Sequence, residues 1–135
     1  MIVVDTNLIV QAVLPGEGHE VALEVAARDS EWVAPPLWRS ELRNVLVTSM
    51  RVRGLRLSGA VSAFEAADRL VTDYDVAEST EACLSLAARG RISGYDAEFV
   101  MVAERLGRLL VSADRRLAKA FPGHVLSPKE FVARH

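Results

Sequence analysis

The chain has 135 residues, half of them apolar and a quarter charged, with 16 basic and 18 acidic side chains and a net charge of -2. That balance excludes a disordered segment, the length suits one buried core and not two, and the acidic excess argues against a basic surface spread over the whole chain. No apolar run reaches the roughly 18 residues of a membrane span and no signal-like leader precedes the first apolar run, so a cytoplasmic single domain over residues 1–135 is expected.

Short β-branched runs alternate with helical patterns, which predicts βαβ units and a parallel sheet. Residues 2–4 (IVV) read as the first strand, followed by a helix over LIVQAVL and another around HEVALEVAA. Residues 32–34 (WVA) form a second strand stopped by Pro35 and Pro36, and Pro36 suits the first turn of a helix reaching about Val52. Leu42, Val45, Leu46 and Ser49 or Met50 are its apolar stripe. Gly54 breaks that pattern, Ser58 suits the cap of a helix over AVSAFEAADRLV, and DYDV suits a short edge strand. The next helix starts at Ser79 or Thr80 and ends near Gly90; another runs from Ser93 to Leu106, closed by Gly107 in the left-handed conformation. LLVS (109–112) and HVLS (124–127) are the last strands, and PKEFVARH a final short helix. The pattern predicts a three-layer α/β/α domain.

Four acids stand out by position. Asp5 follows the first strand, Glu41 lies on the helix after the second, Asp96 opens a late helix, and Asp114 follows LLVS. In open parallel sheets, ligands bind beyond the carboxyl ends of the strands where strand order reverses, and all four acids are within reach of that edge. Asp96 precedes Phe99 and Val100 by three and four residues, and Glu41 follows Trp38 by three, so both side chains turn toward the apolar stripe of their helix. Neither helix supplies a basic neighbour on that face.

Each acid taken alone has a structural reading. Asp5 and Asp114 suit helix N-caps, Ser93 with Asp96 suits a capping box, and Glu41 suits a surface pair with Arg39 or Arg43. Taken together, four carboxylates in one crevice repel unless a cation is present, and an all-oxygen set with open positions suits Mg²⁺ or Mn²⁺. Such an ion activates a water and holds the charge that develops on a phosphodiester. Setting those four acids aside turns the balance of the remaining chain slightly basic. Leu42 to Phe64 holds Arg43, Arg51, Arg53 and Arg56 without an acid, and Arg105 to Lys119 holds five basic residues against Asp114. A nucleic-acid substrate is therefore reasonable.

The stretches VVDTN, ELRNVL, GYDAEFVMVAERLG and LLVSADRRL, in that order, resemble the PIN-domain nucleases, and within them the VapC-type toxins of bacterial toxin-antitoxin pairs. The resemblance spans the chain. It implies a PIN-like sheet of four or five parallel strands and an Mg²⁺- or Mn²⁺-dependent endoribonuclease whose acidic site is Asp5, Glu41, Asp96 and Asp114. Asp5, Asp96 and Asp114 would hold the ion, Glu41 would orient or deprotonate water, and Thr6, Asn7 and Ser112 would orient the ligands. Arg43, Arg115 and Arg116 are the candidates for binding RNA. A homodimer and a small inhibiting antitoxin are the implied partners. Ser112 stands where threonine is common, which keeps the hydroxyl; Arg115, Arg116 and Leu117 stand where some members carry a further acid, which favours one strongly held ion.

Other features carry less. The DYD triplet at 73–75 reads as a solvated turn, Cys83 as a core residue with no partner for a disulfide, and Trp32 and Trp38 as core or dimer packing. His19, His124 and His135 are too scattered for a ligand set, and no nucleotide-binding glycine motif occurs. A receiver-type signalling domain would need paired early acids and a lysine after the last strand, and a haloacid-type phosphatase an acid where Asn7 stands. A catalytically silent binding domain would be expected to lack at least one of the four acids.

Overall fold

A computed structural model describes residues 1–135. Its elements in chain order are β1 (Ile2–Val4), α1 (Thr6–Val13), α2 (His19–Arg28), β2 (Trp32–Ala34), α3 (Leu37–Arg53), α4 (Leu57–Leu70) and β3 (Val71–Asp73). They continue with α5 (Thr80–Gly90), α6 (Gly94–Leu106), β4 (Leu110–Val111), α7 (Arg115–Ala120), β5 (Val125–Leu126) and α8 (Pro128–Arg134). The five strands form one parallel sheet in the order β3-β2-β1-β4-β5. This is the α/β architecture expected, with five strands.

β1, β2 and β4 read as continuous apolar runs because both faces of the sheet are covered. Every residue of β1, β2, β4 and β5 is buried. The chain moves outward from β1 through β2 to β3, then crosses back to β4, and right-handed crossovers in opposite directions put helices on opposite faces. α1 packs with α2, α3 and α4; α5 packs with α6, and α6 lies against β1 and β4. Trp32 and Trp38 are core residues, and Trp38 stacks on Phe64 with ring centroids 5.6 Å apart.

The order 3-2-1-4-5 reverses between β1 and β4, so the crevice lies there. A receiver-type sheet, ordered 2-1-3-4-5, has a different arrangement. No helix is long and apolar enough to cross a membrane.

Several local expectations are corrected. α4 begins at Leu57, with Arg56 at the N-cap position making no side-chain cap bond, so Ser58 lies inside the first turn. The edge strand is Val71–Asp73, because pairing of Trp32, Val33 and Ala34 with Val71, Thr72 and Asp73 sets its register. Asp73 is consequently no solvated turn residue: it accepts from Trp38 Nε1 at 2.7 Å and from Arg39 Nε at 2.9 Å. Those bonds tie the sheet edge to α3. The six-residue helix α7, too short for a periodic signal, went unpredicted.

Candidate functional site

Asp5 ends β1 and caps α1, its backbone extended and its Oδ1 accepting from the Leu8 N–H at 3.0 Å. Its other oxygen accepts from the Ser112 hydroxyl, and Ser112 Oγ in turn accepts from the Asp114 N–H at 3.0 Å. One buried hydroxyl thus ties the ends of β1 and β4 across the switch point. Asp5 is 7% exposed. Burial pushes its carboxyl up to about 6; the Ser112 and Leu8 hydrogen bonds pull the other way, and the charges of Asp96 and Asp114 add to the rise.

Asp96 sits in the first turn of α6, where the Ser93 hydroxyl accepts its N–H at 3.0 Å. Only that half of the expected capping box is formed, so the carboxylate is not spent on the backbone. Asp114 caps α7, accepting from the Arg116 N–H at 2.9 Å and pairing with its guanidinium at 3.0 Å. Arg116 holds Asp114 below the usual carboxylate range against the opposing effect of burial. A cation does reach the crevice from a third helix: Arg116, supplied by the unpredicted α7, faces Asp114 and feels Asp96.

Glu41 is half-buried on α3 and accepts from Thr6 Oγ1 at 2.7 Å. It pairs with neither Arg39, which binds Asp68 and Asp73, nor Arg43, whose guanidinium lies 4.9 Å from the Phe64 ring centroid. Beside it is a fifth acid that sequence reasoning missed. Glu98 on α6 is raised by burial and then by the charge of Glu41. Its signal was faint, an acid inside the apolar run from Ala97 to Ala103. Asn7 and Arg115 are exposed, and neither hydrogen-bonds to any of the four acids.

The crevice therefore brings Asp96 and Asp114 each within electrostatic reach of Asp5, with Glu41 attached to the neighbouring Thr6. No three His, Cys, Asp or Glu side chains stand together at ligating distance. Asp114 is turned onto Arg116 and Glu41 onto Thr6. The donor chemistry nonetheless fits a hard divalent ion: every candidate ligand is a carboxylate oxygen, and the desolvated Asp5 charge lacks a cation of its own.

The family model described as the PIN domain matches residues 2–121. The chain belongs to the PIN-domain family. This PIN domain is 29% identical over 127 residues to a Pyrobaculum aerophilum protein named Ribonuclease VapC3, covering 92% of the chain and 97% of that relative. The crystal structure of PAE2754 from the same organism superposes with a TM-score of 0.72 at 20% identity, over 98% of the chain and 93% of the other. That match shows the fold. The matched family region contains all four acids and both oriented hydroxyls of this PIN domain, those of Thr6 and Ser112.

Proposed function

We propose that this protein is a Mg²⁺- or Mn²⁺-dependent endoribonuclease that hydrolyses RNA phosphodiester bonds in the cytoplasm, one domain over residues 1–135 acting as the toxin of a toxin-antitoxin pair. The observation that carries this reading is the buried, proton-hungry Asp5 at the β1/β4 switch point, facing Asp96 and Asp114. Membership of the PIN family and likeness to a protein named a ribonuclease support it.

Asp5, Asp96 and Asp114 would hold the ion, which would supply an acidified water and positive charge against the scissile phosphate. Ser112 fixes the Asp5 carboxylate by its hydroxyl. Thr6 occupies Oε1 of Glu41 and leaves Oε2 to orient the attacking water and take its proton. Arg115 and Arg116 face the incoming RNA, and Arg116, released from Asp114, would pair with phosphate. A homodimer and an inhibiting antitoxin complete the reading.

Cleavage of a structured RNA mixture by purified, partner-free protein tests it, with Mg²⁺ or Mn²⁺ against chelator and Asp5→Asn in parallel. Cleavage that needs both the metal and Asp5 is expected. Equal inertness of wild type and variant with every metal sinks the nuclease assignment.

A further inference from the structure

A cleft of about 910 Å³ opens next to the acidic centre and shares Ala113 with the loop that carries Asp114. Its walls come from the end of α1 and the turn into α2, from the loop after β4, and from the start of α8. The two banks carry opposite charge. On the β4–β5 side are Arg115 and Lys129; on the α1–α2 side are Glu17 and Glu20. All four are exposed, and none is in an ion pair. Arg115 and Lys129 each lie in the first turn of a helix, where the helix dipole disfavours a cation, so helix stability does not account for them.

The acidic bank also holds an amide. Gln11 lies against Gly18, where a Cβ would stand 2.5 Å from its Nε2, and the φ of +85° at Gly18 independently favours glycine. Gln11 Oε1 is buried and accepts no hydrogen bond. An acceptor left unsatisfied is disfavoured until a donor reaches it. One bank thus offers cations, and the other is led by two carboxylates and the Gln11 amide, with His19 Nδ1 engaged by the Gln11 backbone carbonyl at 2.8 Å.

We propose that this cleft is the subsite for one nucleotide of the RNA strand adjoining the cleaved bond. Its phosphate lies between Arg115 and Lys129, and its base turns its amino group toward Glu17, Glu20 and Gln11. Phosphates are positioned by Arg and Lys, and carboxylate or amide oxygens accept from exocyclic amines, a pairing stated for base edges in general. Single-stranded RNA presents its bases unstacked for such reading. Uracil, which turns carbonyl oxygens to the acceptors where cytosine has an amine, is disfavoured. The inference rests on the ribonuclease reading above. It also assigns the strand to the β4–β5 side of the centre and not to the arginines at the end of α3. Arg51 follows Glu41 by ten residues, about 15 Å along the helix axis.

The test is binding of labelled oligo(C) and oligo(U) across a salt series in chelator, with metal-dependent RNA cleavage by the wild type measured alongside. Arg115→Ala/Lys129→Ala should weaken oligo(C) binding about tenfold and flatten the dependence of log K on log salt by about 0.7, one phosphate at the single-strand value. Glu17→Gln/Glu20→Gln should shrink the preference for oligo(C) over oligo(U), and the charge-matched Arg51→Ala/Arg56→Ala should change neither. An unchanged salt slope in the first variant, equal wild-type affinity for the two oligomers, or an undiminished preference in the second overturns the subsite. So does an equal loss in the charge-matched control. Where the wild type cleaves RNA, those results remove the subsite alone; a wild type that cleaves no RNA with any metal removes the ribonuclease reading and the subsite with it.

Discussion

Asp5 serves strand, helix and site with one carboxylate. It receives the Leu8 N–H that α1 would otherwise leave unpaired, and the Ser112 hydroxyl, while Asp96 and Asp114 crowd it. Its ordinary value of 3.8 is pushed up to about 6 in the fold, burial being the main cause. Between those values the folded state binds more protons than the unfolded chain. The stability this contributes is fully present below pH 3.8 and is lost as pH rises through about 6. At 1.4 kcal/mol per pH unit the loss is about 3 kcal/mol in metal-free protein. Urea unfolding in chelator should therefore show wild type weakening across this window relative to Asp5→Asn, and a constant gap between the two would count against a desolvated charge. Asp5, Asp96 and Asp114 were legible one by one because each stands where an element begins or ends. Glu98 beside Glu41 was not, since it joins two helices, and Arg116 on Asp114, two residues apart, was missed because the short helix α7 that turns one onto the other gives no periodic signal.

At the scale of elements, α6 shows how local rules place a candidate site carboxylate. Ser93 caps it, Gly107 ends it with φ +60°, and both were readable from residue type. The capped N–H belongs to Asp96. Ser93→Ala should cost about 1 kcal/mol of stability, as loss of an N-cap does. Thermal unfolding with single-turnover cleavage should show the rate falling by more than the lost folded population explains, because the freed turn carries Asp96. A rate that tracks folded fraction alone would leave the cap purely structural. The residue pattern places the edge strand at DYDV (73–76), two residues late at its start and three at its end, because the ends of β3 depend on β2. Its pairing with Trp32, Val33 and Ala34, and the Trp38 and Arg39 bonds to Asp73, act across 34 to 39 residues of chain.

At the scale of the molecule, the reversal of strand order sets Asp5 beside the loop that carries Asp114, 109 residues apart in sequence. Like charges held together by a fold weaken it, and a cation that binds only the folded state restores stability by mass action. Mg²⁺ or Mn²⁺ at about 100 times its Kd should add about 2.7 kcal/mol, read as a rise in Tm that grows with metal concentration. Asp5→Asn should flatten that rise. A Tm indifferent to both ions in the wild type would mean that the crevice, closed by the Arg116–Asp114 pair, does not take a metal.

Periodicity, proline and glycine punctuation and β-branched runs are properties of neighbouring residues, so the sequence by itself determined the α/β class, most helices and the three aspartates at element ends, with Glu41 beside the apolar stripe of its helix. What the tertiary structure alone decided is who faces whom. The Ser112 bridge from β4 to β1, the Thr6–Glu41 bond between α1 and α3, Glu98 beside Glu41 and the two-sided cleft beside the acids arise from packing and strand order. Hydrogen bonds and charges act over a few ångströms of space, and no local pattern in the chain encodes which distant segments will share them.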